Sequence, residues 1–319
     1  MRPLFLGIDI GGTKVALGLG GPDGELVARS QHAAETHRGP DAMLERIVSE
    51  TKELLAASGG RTQAIGIACG GPLDRRQGLV LGPPNLPGWT SVPIVERLSD
   101  ALKAPAFLDN DANLAALGEQ RSGAGRGFED LLYLTISTGI GGGIVQGGEL
   151  VHGLGDGAGE IGHQTLDPEG PVCGCGNRGC LEALASGSAI ARAAREAATA
   201  DPSRAAGLLS RAGGDARRLS GRIVAEAATA GDELAAELWD RAMRFLGIGI
   251  ANAITILAPQ VVILGGGMSA AGSMLFDPIR AIVRQRVRLL PIDELPILPA
   301  ALGLDSPLRG ALAMAVDLA

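Results

Sequence analysis

No block of lysine and arginine occurs in this 319-residue chain, and its formal net charge is −7. Nucleic acid, a polyanion, needs a basic footprint, so that class of partner is excluded. Long apolar runs are equally scarce. The N-terminal MRPLFLGIDIGG has only a short apolar stretch, broken by Asp9, and makes a poor signal peptide. The most apolar later stretch, FLGIGIANAITILA, is interrupted by Asn252 and Thr255 and falls short of a bilayer span, so no membrane partner is expected. The common phosphate-loop signatures are missing too: there is neither GxxxxGK followed by Ser or Thr nor a GxGxxG that opens a helix. Cysteine is confined to four residues. These absences leave a soluble cytoplasmic protein, where thiols stay reduced and a disulfide is a poor default.

What is present is globular. Hydrophobic residues make up 46% of the chain and charged residues 20%, and the length suffices for two lobes that each bury a core. Two segments share one plan. LFLGIDIGGTKVALGLGGPDGELVA (4–28) reads as strand, glycine turn, strand, Pro-Asp-Gly turn and third strand, and LLYLTISTGIGGGIVQGGELV (131–151) repeats it. Each half then turns to helical patterns and returns to short buried strands, IGIAC (65–69) and PAFLD (105–109) in the first and VVIL (261–264) in the second. The segment 232–258 has helical spacing and stops at Pro259, and the tail PLRGALAMAVDLA also reads as a helix. The expectation is two α/β lobes, 1–112 and 113–305, with the terminal helix 306–319 a candidate to pack on the first.

Paired glycine hairpins suggest a cleft with one hairpin entering from each side, because backbone N–H groups approach an anion only where no Cβ intervenes. Hydroxyls stand in both turns, Thr13 in one and Ser137 with Thr138 in the other. Phosphate binding and ordinary tight hairpins both remain open. Asp9 ends the first strand, where it serves either as a ligand for magnesium and its water shell or as a turn-stabilising carboxylate. LDNDANLAALGE (108–119) places Asn110 and Asp111 at the C-terminal end of a strand, where open α/β sheets collect ligands. Asp109 and Asp111 would share a face of an extended segment, and one of the three polar residues is expected as the helix N-cap. Glu160 and His163 in GAGEIGH, with Glu182 further on, suit either a small polyhydroxyl ligand or a metal.

CGCGNRGC (173–180) crowds three thiols into eight positions. Cys173 and Cys175 are too close for a comfortable disulfide, and a nucleophile needs one activated thiol rather than three. Cys173, Cys175 and Cys180, with His163 ten residues upstream, form a Cys₃His set of the kind that binds structural zinc, and the interleaved Gly174, Gly176 and Gly179 give the backbone room to wrap it. Four protein ligands leave no open position, which excludes a zinc hydrolase. Cys69 stands alone at a strand end and reads as a small core residue.

DIGGTK (9–14), GPLD (71–74), NDAN (110–113), STGIGGGI (137–144), GEIGH (159–163) and CGCGNRGCLE, in that order, resemble the ROK family of sugar kinases, with LGGGMS (264–269) and the terminal helix extending the likeness. The resemblance implies a duplicated, actin-like (ribonuclease-H-like) fold with ATP and sugar between two lobes. It implies that Gly11, Gly12, Thr13, Lys14, Thr138, Gly139 and Gly141 face the phosphates, beside Asp9, and that Gly265 and Gly266 pass near the nucleoside. It implies sugar contacts from Asn85, Asn110, Asp111, Glu160, His163 and Glu182, and zinc ligands at His163, Cys173, Cys175 and Cys180. It also implies a homodimer or a tetramer.

On that resemblance Asp111 is the general base that takes the proton of a hexose 6-hydroxyl, with ATP and Mg2+ as phosphoryl donor and clamp. Glucose is the first substrate expected. N-acetylmannosamine and N-acetylglucosamine are the alternatives, and polyphosphate is an alternative donor. The family also contains sugar-responsive repressors with an N-terminal helix-turn-helix. Here the first strand starts near Leu4 and leaves no room for one, so a non-catalytic sensor ranks behind the enzyme.

Overall fold

The computed structural model of the chain describes residues 2–319. It begins with β1 (Arg2–Ile10), β2 (Lys14–Gly20) and β3 (Leu26–Ala33), followed by α1 (Gly39–Ser58) and β4 (Gly60–Cys69). A small hairpin of β5 (Leu73–Asp74) and β6 (Leu79–Val80) leads to α2 (Ile94–Leu102), β7 (Ala106–Asn110) and α3 (Asp111–Ser122). The plan then restarts with β8 (Leu131–Ile136), β9 (Ile140–Gln146) and β10 (Glu149–Leu150). Next come α4 (Leu181–Ala185), α5 (Gly187–Ala200), α6 (Ala206–Arg211), α7 (Gly221–Thr229) and the long α8 (Glu233–Leu257). The chain finishes with β11 (Val261–Gly265), α9 (Ser273–Arg286), β12 (Ile297–Pro299) and α10 (Ser306–Asp317).

One large sheet has the order β3-β2-β1-β4-β7 and the other β10-β9-β8-β11-β12. Numbered within its own half, with the separate β5–β6 hairpin left out, each reads 3-2-1-4-5, so the repeated sequence plan is a repeated topology. In the first sheet β1, β2 and β3 pair antiparallel, and β4 and β7 join in parallel. In the second, β10 pairs antiparallel with β9 and β12 parallel with β11. The two glycine turns of the sequence are the β1–β2 and β8–β9 connections. By its contacts the chain divides into two compact units. One runs to Tyr133 and adds Gly143–Gly159 and Ala300–Ala319; the other consists of Leu134–Gly142 and Glu160–Pro299.

In the first unit β1 is buried from Leu4 to Ile10. Its even-numbered residues Leu4, Leu6, Ile8 and Ile10 join Ile47, Ile65, Ile67 and Trp89 in one core. Its opposite face carries Phe5, packed with Ala64, Leu312 and Ala315 of α10. Period-two alternation places Gly7 and Asp9 on that same α10 face. The helix sits unusually close there. A Cβ on Gly7 would lie 2.8 Å from the Leu308 carbonyl oxygen, one on Gly66 would collide with the Ala311 carbonyl, and one on Gly310 would collide with Leu114 of α3. Leu308 and Leu312 are fully buried in this packing, a gain of about 1.5–3 kcal/mol each. The buried Glu119 of α3 fastens the same region. Its Oε1 accepts from Leu302 N (2.9 Å) and Ser306 Oγ (2.7 Å), and its Oε2 from Ala124 N (2.9 Å) and Ala301 N (3.0 Å). A buried carboxylate is tolerable only when its lone pairs are used in this way.

The second unit is built on α8. Asp232 caps it by accepting from Ala235 N (2.9 Å), and the helix ends at Ala258 in the left-handed region, before Pro259. Trp239, Met243, Leu246 and Ile250 bury its inner stripe. Trp239 Nε1 donates to Met274 O (3.0 Å), which satisfies the indole inside the core. β11 is wholly buried. Among the described residues no helix is long and apolar enough to cross a membrane.

Candidate active site

In the first unit the polar residues collect at the C-terminal ends of β1 and β7. The β1–β2 turn closes through Gly11 N to Lys14 O (3.0 Å), with Thr13 exposed. Gly12 is required by its neighbour: a Cβ there would lie 2.8 Å from Asn85 Cβ and 2.9 Å from the Asn85 carbonyl oxygen. Asn85 thus stands against the first glycine hairpin, although more than seventy residues separate them. Gly70 adjoins the same group, since a Cβ on it would lie 3.6 Å from Asp111 Oδ2 and 3.9 Å from Asn85 Nδ2. Gly71 stands beside Asn110 Nδ2 in the same sense, at 3.7 Å.

β7 ends at Asn110 and α3 begins at Asp111, so the two-residue alternation expected to align Asp109 with Asp111 stops one residue too soon. Asn110 is the N-cap, its Oδ1 accepting from Ala112 N (2.8 Å) and Asn113 N (3.4 Å). Its amide nitrogen is not used in the cap. Asp111, half-buried, accepts Ala112 N–H through Oδ1 (2.8 Å). Asp109 turns inward and is 2% exposed. It accepts from Asn113 Nδ2 (3.0 Å) and lies 2.7 Å from His152 Nε2. The sequence reading missed His152. The residue was visible as a lone histidine after the β10 run, but nothing local couples it to a carboxylate 43 positions away.

Asp9 is 6% exposed. Burial pushes its carboxyl up to about 7, with Asp111 and Asp305 adding in the same direction and Lys14 opposing them. Lys14 Nζ lies 3.8 Å from Asp9 Oδ2 and donates to Leu304 O (3.1 Å), so the lysine is held beside the carboxylate within this unit. Between the ordinary aspartate range and about pH 7 the folded chain holds a proton that the unfolded chain has released, and stability falls as pH rises through that window. Asp9→Asn removes this titration. In magnesium-free buffer the variant and the parent melt alike near pH 4, and the variant becomes progressively more stable toward about pH 8. Melting temperatures across that range test this, and a pH-independent difference would contradict it.

In the second unit the β8–β9 turn carries Ser137 and Thr138, both exposed, with Gly139 and Gly141 half-buried behind them. Gly187 N donates to Ser137 O (2.8 Å) and Ser188 N to Thr138 O (3.3 Å), fixing the turn against the start of α5. Gly265 ends β11, and Gly266 has φ +80, with Ile136 N only 2.6 Å from where its Cβ would stand. Beside these turns opens a cavity of about 730 Å³. Its lining includes Ser137, Thr138 and Ser188 together with Trp239, Met268 and Met274, a largely apolar chamber that also offers hydroxyls.

Glu182, in the first turn of α4, accepts Ile140 N–H through Oε2 (2.8 Å), and its Oε1 lies 3.9 Å from Cys173 Sγ. A side chain on Gly139 would collide with this carboxylate. Glu182 therefore ties the second glycine hairpin to the cysteine loop. His163 presents Nδ1 to Cys173 Sγ at 3.6 Å, and its Nε2 lies 3.8 Å from the exposed Glu160. Cys175 and Cys180 are 3.7 Å apart. All four donor atoms of His163, Cys173, Cys175 and Cys180 lie within 4.8 Å of one another. Zinc–sulfur and zinc–nitrogen bonds of about 2.3 and 2.0 Å in a tetrahedron give edges of ~3.8 Å for S···S and ~3.5 Å for S···N. The set fits that ion. Burial and the adjoining thiols push Cys180 up to about 12, whereas the Asn177 backbone N–H pulls Cys175 down, so a divalent cation is what would make the Cys180 thiol anionic. Of the three glycines expected to ease the wrap, Gly176 and Gly179 have positive φ, and a side chain on Gly179 would strike Asp167. Gly174 has open space and an ordinary backbone, so nothing at that position demands glycine. Cys69 is buried in the first core, as expected of a small apolar residue.

A duplicated 3-2-1-4-5 sheet with glycine turns leading each half is the architecture of the actin-like ATPases. The chain matches the sequence model of the ROK family over residues 5–317 and belongs to that family. It is 36% identical over 308 residues to a glucokinase from Thermotoga maritima, covering 96% of this chain and 95% of that one. An N-acetylmannosamine kinase from Escherichia fergusonii is 38% identical over 270 residues, 85% of either chain. The crystal structure of a ROK family glucokinase from Streptomyces griseus, in complex with glucose and AMPPNP, superposes with a TM-score of 0.81 at 34% identity, covering 98% and 99% of the two chains.

Proposed function

We propose that this protein is an ATP-dependent kinase that transfers the γ-phosphoryl group to the 6-hydroxyl of glucose, with Asp111 as the general base. The observation that carries this reading is the placement of Asp111. It is half-buried at the first position of α3, its Oδ1 held by Ala112 N–H while Oδ2 stands beside Gly70, which Asn85 also adjoins. Backbone dipoles at a helix start favour negative charge, and Asp111 is the acidic residue in the first turn of α3. Phosphoryl transfer asks the protein mainly to align a hydroxyl, hold the phosphates and receive one proton. Asp111 receives that proton as the sugar oxygen takes the phosphoryl group and ADP departs. Asn85, Asn110, Glu160, His163 and Glu182 are the groups assigned to the sugar hydroxyls, with His163 acting through Nε2.

Gly11, Gly12, Thr13 and Lys14 on one hairpin, and Thr138, Gly139 and Gly141 on the other, are assigned to the phosphates. The 730 Å³ chamber beside Gly265 and Gly266 takes the nucleoside, which favours ATP over polyphosphate as donor. Asp9 would hold Mg2+ or its waters, which neutralise charge on the phosphates when bound. His163, Cys173, Cys175 and Cys180 would hold a structural zinc that fixes the loop carrying Glu182. The same reading carries a cytoplasmic location and a homodimer.

The 38% identity to an N-acetylmannosamine kinase supports a second reading in which the sugar bears an acetamido group at C2. ADP release from ATP and magnesium separates the two. Glucose should give the highest kcat/KM in a panel that also holds N-acetylmannosamine, N-acetylglucosamine, fructose and a sugar-free control. A preference for an acetamido sugar keeps the chemistry and replaces the substrate. Sugar-independent or absent turnover overturns the kinase reading.

A further inference from the structure

We infer that His152 is a positioning residue for the phosphoryl acceptor site, acting through the buried carboxylate of Asp109. The inference rests on the kinase reading above and assigns a role to two residues that reading leaves idle. Asp109 sits directly behind the residues proposed to meet the sugar. Its Oδ1 takes Asn110 N–H at 2.7 Å and Asn113 Nδ2 at 3.0 Å, and its Oδ2 lies 2.7 Å from His152 Nε2. The aspartate can only accept from the ring, so Nε2 carries the proton. Asn113 is buried and its Oδ1 has no partner among the described residues, so the Nδ2 bond to Asp109 is what offsets its burial. Both contacts of Oδ1 therefore grip the short stretch in which Asn110 caps α3 and Asp111 begins it, while Oδ2 reaches out to His152.

His152 holds the other end of this arrangement. It follows β10 and opens the glycine-rich segment Gly153–Gly159 that leads to Glu160. Its carbonyl accepts Ala158 N–H (2.9 Å), which closes that segment into a loop at its neck. One residue thus pins the loop neck through its backbone and the Asn110–Asp111 turn through its ring. Removing the imidazole leaves Asp109 Oδ2 a buried, charged oxygen without a donor. The carboxylate then rotates to find another, and its hold on Asn110 N–H and Asn113 goes with it. Asp111, one residue further on, loses its aim at the hydroxyl. A displacement of about 1 Å at a reacting group costs about 100-fold in rate.

The test uses the full-length protein with its best hexose. His152→Ala should lower kcat about 100-fold while KM for ATP stays within about twofold. His152→Gln, whose terminal amide N–H reaches about as far as the ring Nε2–H, should recover most of kcat. In an Asp109→Asn background, where no buried charge is left unpaired, His152→Ala should cost far less than it does in the parent. A His152→Ala enzyme with parental kcat overturns the inference, as does a folded His152→Gln enzyme no better than Ala. An equal penalty in the two Asp109 backgrounds overturns it as well. If His152→Ala does not fold, the Gln variant and the double variant still decide. A parent protein inactive toward the whole sugar panel overturns the kinase reading and this inference with it, whereas an active parent with unaffected variants removes only the role of His152.

Discussion

Asp111→Asn should reduce kcat by at least ~100-fold, toward ~10⁴-fold, while the affinity for ATP is preserved. The amide keeps the size of the side chain, and its Oδ1 can still accept Ala112 N–H at the start of α3. What it loses is the ability to take a proton from the attacking hydroxyl. The groups assigned above to the nucleotide, Thr138 and the chamber lined by Trp239 and Met268, lie on other elements than that carboxylate. Single-turnover measurement of ADP formation, paired with a nucleotide-binding titration, separates chemistry from binding. Turnover within a few-fold of the parent would remove Asp111 from the mechanism; a parallel loss of ATP binding would point to a collapsed turn rather than a missing base.

The second large effect is expected at Cys175, the exposed member of the thiol cluster. Because it is exposed, Cys175→Ser opens no cavity, and the loss of one proposed zinc ligand is isolated from core packing. Metal analysis of the purified variant should show that stoichiometric zinc is gone. Its melting temperature should drop by about 10 °C or more, since structural zinc contributes its binding free energy to folding. The sugar KM should rise steeply, because His163 stands in the cluster and Glu182 reaches both Cys173 and the Ile140 amide. A variant that retains full zinc and the parental melting temperature would refute the ligand assignment. Lost zinc with unchanged sugar affinity would show that the loop keeps its shape by other means.

The parts of this molecule that were legible in the sequence are those whose physics is local. The hairpins β1–β2 and β8–β9 announce themselves because apolar runs and glycine turns alternate within about twenty residues. Seeing the plan twice was enough to expect paired lobes. The gathering of His163 with the three thiols was legible for the same reason, three thiols in eight positions with His163 nearby. The helix over 232–258 was bounded by its own cap and by Pro259. What could not be read depends on long-range contact. Which of Asp109, Asn110 and Asp111 faces inward is decided by where β7 stops and by His152, neither of which the LDNDAN stretch encodes. Glu119 looked like an ordinary helical acid, and its burial follows from donors that lie beyond residue 300. The approach of Asn85 to Gly12 belongs to the same class, since it is set by the path of the loop between β6 and α2.

The seat of α10 also fixes the order in which this protein can be made. The sheet of β1, β4 and β7 is synthesised early, yet one of its faces is covered by a helix that emerges after almost everything else. Until then Phe5, Gly7 and Gly66 have no cover, and Glu119 lacks three of its four donors. At about 5–20 residues per second, the nascent chain spends many seconds with that sheet half-dressed while the second unit is being translated. The first sheet therefore stays incomplete on its α10 face until the residues from Ala301 to Ala315 have been made.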